Sequence, residues 1–165
     1  MTVQILQWGL FSFMIGLALS LPLAAVHYQN SPKWTRIFTN PRKLKSAHLD
    51  FFTQAFAAGF AYVLELALRT PFPSYVVIPL IFGTICNPLL LLIEATPLHR
   101  RSFGRLLYLA VRATSPLALL FAWFAIAWKA LPPSMAALFA LFVAAGLVMM
   151  LAYKPSRLED EHGKP

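Results

Sequence analysis

Charge is scarce in this sequence, the negative kind most of all: six Asp and Glu stand among 165 residues, against 14 Lys and Arg. Charged residues make up 12% of the chain, about half the share of a soluble domain, which excludes a soluble cytosolic enzyme and a disordered chain. A single cysteine, Cys86 in an apolar run, excludes an intramolecular disulfide scaffold and a cysteine-based metal cluster. Strand-like alternation persists nowhere, which argues against a barrel. Internal repeats and low-complexity tracts are also missing. What is abundant is apolar: 59% of residues are hydrophobic and the mean hydropathy is +0.66. These proportions describe an integral membrane protein in one compact unit.

A membrane helix needs about 20 mostly apolar residues. Five stretches meet or approach this: residues 5–26, 51–68, 75–93, 106–128 and 134–152. The expected fold is all-α, a polytopic membrane bundle of five transmembrane helices, with residues 1–154 as one domain and 155–165 as a polar tail. The first stretch has no basic residue before it and is too long for a signal-peptide core, so it is read as retained. Basic residues set the orientation. Lys33, Arg36, Arg42, Lys43 and Lys45 follow the first span, Arg100, Arg101 and Arg105 follow the third, and Lys154, Arg157 and Lys164 lie in the tail. Alternating spans bring these segments to one face. That face is expected to be cytoplasmic, with the N-terminus outside and the protein in an inner membrane.

Between the first two spans, Ser31-Pro32 reads as a helix start and Thr39-Asn40-Pro41 as its stop. Trp34, Ile37 and Phe38 then share one face of a short interfacial helix. Ser46 is the expected N-cap of the second span, placing His48 in its first turn. Small-residue ridges run along span one (Ser12, Gly16, Ser20) and span five (Ala136, Ala140, Ala144), as close helix packing in lipid requires.

Polar side chains inside a membrane are costly and mark candidate sites. They are His48, Gln54, Glu65, Asn87 and Arg112, with Thr84 and Ser115 slightly deeper. Pro22, Pro88 and Pro116 each free the carbonyl four residues earlier, those of Ala18, Thr84 and Arg112. Freed carbonyls at depth need partners or a cavity, and a polar pocket in the cytoplasmic half meets both demands. Gln54 and Asn87 line that pocket or bond across helices. Arg112 faces it or snorkels to headgroups. Glu65 lies near the outer end of its span and is expected to pair with Arg69 at i,i+4.

All four histidines, His27, His48, His99 and His162, fall on the cytoplasmic side of this topology. Only His48 is held by a helix start. Zinc needs three or four clustered ligands, whereas haem needs one axial His, an apolar slot and cations for two propionates. Arg42, Lys43 and Lys45 beside His48 suit propionates or anionic lipid. A two-His haem with His27 or His99 opposite His48 also fits the spacing.

The segment Lys45-Ser46-Ala47-His48, with Gln54 six residues later, resembles the second helix of styrene oxide isomerases. The run Thr84-Ile85-Cys86-Asn87 is similar to their third helix. The resemblance implies that His48 ligates a ferric haem b acting as Lewis acid on an epoxide oxygen, with Gln54 and Asn87 as the amides that would hydrogen-bond that oxygen. Arg42, Lys45 and Arg112 are the candidate cations around such a cofactor. The resemblance further implies an aldehyde product from an apolar small-molecule substrate, and a homo-oligomer, a trimer. The family has four spans, an Asn where this chain has Gln54, and a Tyr where it has Leu91. Three other functions compete: a non-catalytic membrane assembly or partner subunit, a haem electron-transfer protein, and a transporter or channel using Arg112. Nucleic acid is not an expected partner, because the basic loops are short and lie against the membrane.

Overall fold

The computed structural model describes residues 2–29, 31–97 and 102–152. His99, Arg100, Arg101, His162 and the tail lie outside them. All regular structure among the described residues is helical: α1 (Val3–His27), α2 (Pro32–Ile37), α3 (Pro41–Leu68), α4 (Ser74–Glu94), α5 (Ser102–Ala130) and α6 (Pro133–Ala152). Five of these, α1, α3, α4, α5 and α6, are long and apolar enough to cross a membrane. Large apolar side chains such as Leu21, Phe56, Ile78 and Leu117 stand exposed, which suits a surface solvated by lipid. The protein is an all-α, multi-pass membrane protein.

Two compact units divide the chain, Met1–Ala130 and Leu131–Pro165. In the first, α3 packs between α1 and α4, and α4 packs on α5. Small residues allow the α1–α3 approach. A Cβ placed on Gly9 falls 3.0 Å from the Cβ of Ala58 and 3.3 Å from the carbonyl of Ala55. The α4–α5 contact is closer still, with a Cβ on Gly83 only 2.6 Å from the Cβ of Leu119. Ile5, Ala58, Ala61, Val76, Leu80, Ala122 and Ile126 form one apolar cluster. Leu19, Val26, Phe38, Leu44, Phe51 and Ala95 form another toward the opposite helix ends. In the second unit, α6 buries none of its residues, and the Ala136–Ala140–Ala144 stripe makes no buried contact.

Helix α2 forms where Ser31-Pro32 starts it, although the Ser31 side chain makes no capping bond. Trp34 stacks on Phe38, their ring centroids 6.0 Å apart, and of that pair only Phe38 is buried. The expected start of the second span requires correction. Helix α3 begins at Pro41, capped by Asn40, whose Oδ1 accepts from the Lys43 backbone N–H at 3.2 Å. Ser46 lies inside the helix and donates to the Arg42 carbonyl at 3.0 Å. An Asn cap followed by proline outweighs the polarity of the next turns, because long basic side chains project from a helix end without breaking it. His48 consequently sits about two turns inside α3 rather than in its first turn.

Candidate functional site

His48 is held against α1. Its Nδ1 lies 2.8 Å from the carbonyl oxygen of Gly16. A carbonyl only accepts, so Nδ1 carries the proton, and in the neutral ring Nε2 keeps its lone pair. Gly16 permits this approach: a Cβ there would stand 3.3 Å from the Phe52 ring and 3.4 Å from the Phe51 Cβ. The Phe52 edge meets the half-buried imidazole with centroids 4.9 Å apart, and Phe13 and Phe56 extend the aromatic patch. Arg42 and Lys45 are exposed on the two preceding turns of the same helix. One turn of α1 from Gly16, Ser12 is buried and donates to the Phe51 carbonyl at 2.9 Å.

Gln54 occupies another flank of α3, about 120° around the helix from His48. Lys43, Asp50 and Gln54 share that flank, and Lys43 forms an ion pair with Glu94 of α4. Gln54 Nε2 donates to Asp50 Oδ1 at 3.4 Å, while its Oε1 is buried without a hydrogen-bond partner. Thr84 Oγ1 is likewise buried without a partner. Asn87 turns to α5, where its Oδ1 accepts from Ser115 Oγ at 2.6 Å. Among the described residues no hydrogen bond joins His48, Gln54 and Asn87 to one another.

Arg112 is exposed. Its Nη1 donates to Tyr108 Oη at 3.3 Å and its guanidinium lies 5.8 Å from the Tyr108 ring centroid. Tyr108 donates in turn to Glu94. Lys43, Glu94, Tyr108 and Arg112 thus tie α3, α4 and α5 together at one end of the unit. Sequence reasoning passed over Asp50 and Glu94 because each borders an apolar stretch and reads as loop. Their signal is the helix boundary: once Asn40 is taken as the cap of α3, Asp50 falls inside the helix.

Glu65 does not pair with Arg69. It is fully buried and accepts from the Thr2 backbone N–H at 2.6 Å, the Thr2 hydroxyl at 2.8 Å and the Phe72 backbone N–H at 2.7 Å. Arg69 is the C-cap of α3 in the left-handed conformation, with φ 52°, so its side chain leaves the row that an i,i+4 pair needs. A separate apolar groove of about 350 Å³, lined by Trp8, Ile78, Ile81, Phe82, Ile85 and Cys86, opens between α1 and α4 and includes none of the site residues.

Comparison with protein-family models, characterised proteins and solved structures finds no match to this chain.

Proposed function

We propose that this protein binds haem b through His48 and, in line with its resemblance to styrene oxide isomerases, acts on an apolar oxygenated substrate as a homo-oligomeric inner-membrane isomerase. The observation that carries the reading is the hydrogen bond from His48 to the Gly16 carbonyl. Such an outer contact on one ring nitrogen fixes the tautomer, orients the ring and raises the basicity of the other nitrogen. The residues present therefore fit a haem, whose iron His48 would hold. Phe52, Phe13 and Phe56 offer an apolar flank for a flat macrocycle. Arg42 and Lys45 offer cations for its carboxylates at the same end of α3. Arg112 is tied through Tyr108 and Glu94 to Lys43, on the flank of α3 turned from His48, and is left out of this cation set.

Ferric haem supplies a Lewis acid for an epoxide oxygen. The resemblance also assigns Gln54 and Asn87 to that oxygen. Their hydrogen bonds run to Asp50 and Ser115, so the proposal rests on His48 and leaves the amides to the polar layer between the helices.

The test is the visible spectrum of the detergent-purified protein, expressed with ample haem, for the wild type and His48→Ala. The expected result is a Soret band in the wild type that His48→Ala removes, together with conversion of an aryl epoxide to its aldehyde by the wild type alone. A wild type without the band overturns the reading.

A further inference from the structure

The flank of α3 turned away from His48 carries polar capacity that the haem reading does not use. Gln54 Oε1 and Thr84 Oγ1 are both buried and both lack a partner. Thr84 is 1% exposed and Gln54 9%. A buried polar atom without a hydrogen bond is rare and calls for an unseen partner.

Their placement is specific. Gly83 faces α5 through Leu119, and Thr84, about 100° further around α4, turns toward α3. Gln54 is on the flank of α3 that meets α4, as the Lys43–Glu94 ion pair fixes. From that pair, Gln54 lies about three turns along α3 and Thr84 about three turns along α4. The helices are antiparallel, so the two side chains stand at one level.

Two further oxygens belong to the same stretch of the two helices. Pro88 has no N–H to return to the Thr84 carbonyl, which is left without its helical donor. Asp50 is one turn from Gln54, and among the described residues its carboxylate accepts only the long bond from Gln54 Nε2. Among the described residues no cation pairs with Asp50, since Lys43 is committed to Glu94.

We propose that Asp50, Gln54 and Thr84 bind a monovalent metal cation of sodium's size between α3 and α4. The donor set is all oxygen, as a hard cation prefers. It joins one carboxylate, one amide oxygen, one hydroxyl and one proline-freed carbonyl. Of these four oxygens only the Thr84 hydroxyl can donate, so a bound water would satisfy some acceptors but leave the carboxylate's charge uncompensated at the edge of the apolar stretch. A cation does both. The proposal stands on the fold and does not depend on haem.

The experiment is thermal unfolding of the purified full-length chain in detergent, in sodium chloride and in N-methylglucamine chloride of equal ionic strength. Ligand linkage predicts a Tm that rises with sodium by roughly 3–5 °C for each tenfold excess over Kd. Thr84→Val and Asp50→Asn should unfold normally in N-methylglucamine and lose the sodium increment. If either variant fails to fold, Gln54→Leu and calorimetric titration of the wild type with sodium chloride decide the matter. Equal Tm values in the two salts, no heat of sodium binding, or an unchanged increment in the variants overturns the proposal and leaves a site for water alone.

Discussion

The two flanks of α3 solve the same problem in opposite ways. Toward α1, polar groups are matched within the protein: Ser12 bonds the Phe51 carbonyl, His48 bonds the Gly16 carbonyl, and glycines bring the backbones together. Toward α4, Gln54 Oε1 and Thr84 Oγ1 are buried with nothing to bond. The two carboxylates of α3 repeat the contrast. Glu65 accepts three hydrogen bonds that pin Thr2 and Phe72, whereas Asp50 accepts one long bond from its own helix. A satisfied carboxylate holds a fold together, and one with few partners is available for a ligand. On this view the α1 flank is structure that presents one imidazole nitrogen outward. The α4 flank keeps unspent bonding capacity inside.

Substitutions can break or sharpen this contrast. The largest effect is expected on the closed flank: Gly9→Leu forces side-chain atoms into Ala58 and the Ala55 carbonyl and should cost about 3 kcal/mol, seen as a lower Tm in detergent. Glu65→Gln follows. It removes the charge that three donors address and turns an amide N–H toward one of them, so the loss should be roughly 2 kcal/mol, with faster hydrogen exchange at the Phe72 amide. Ser12→Ala deletes one buried interhelical bond and should cost about 1 kcal/mol by the same thermal measurement. Thr84→Val should be smallest, within about 0.5 kcal/mol when sodium is absent, because the hydroxyl removed has no partner among the described residues. A large loss from Thr84→Val without sodium would erase the difference between the flanks.

Much of the architecture was legible because lipid imposes a length on apolar segments and separates them from charge. All five spans are present, and the short helix after Ser31-Pro32 forms between the stops that bound it. The ridge on α1 was readable from small residues four apart. Helix α3 was read too short because its first turns carry Arg42, Lys43, Lys45 and Asp50, polar enough to look like loop. Hydropathy measures burial in lipid, whereas the helix boundary is set by the Asn40 cap and Pro41. That error concealed Asp50 and misplaced His48 by about two turns. Which neighbour each polar residue meets depends on helix rotation, which spacing along one chain does not encode. Rotation turns His48 to α1, Gln54 to α4, and Asn87 to α5. Glu65 shows the same limit: an i,i+4 cation was visible in the sequence, and the partners it takes instead, Thr2 and Phe72, come from the approach of α1 and of the turn after α3.

The outward nitrogen of His48 is proposed above as an iron ligand. The most direct measurement is imidazole rescue of His48→Gly, purified with haem added and followed by its visible spectrum. The account predicts that the variant folds but holds no haem, and that free imidazole restores a ferric Soret band close to that of the wild type. A variant that retains haem without imidazole, or a wild type that never takes it up, would contradict the claim.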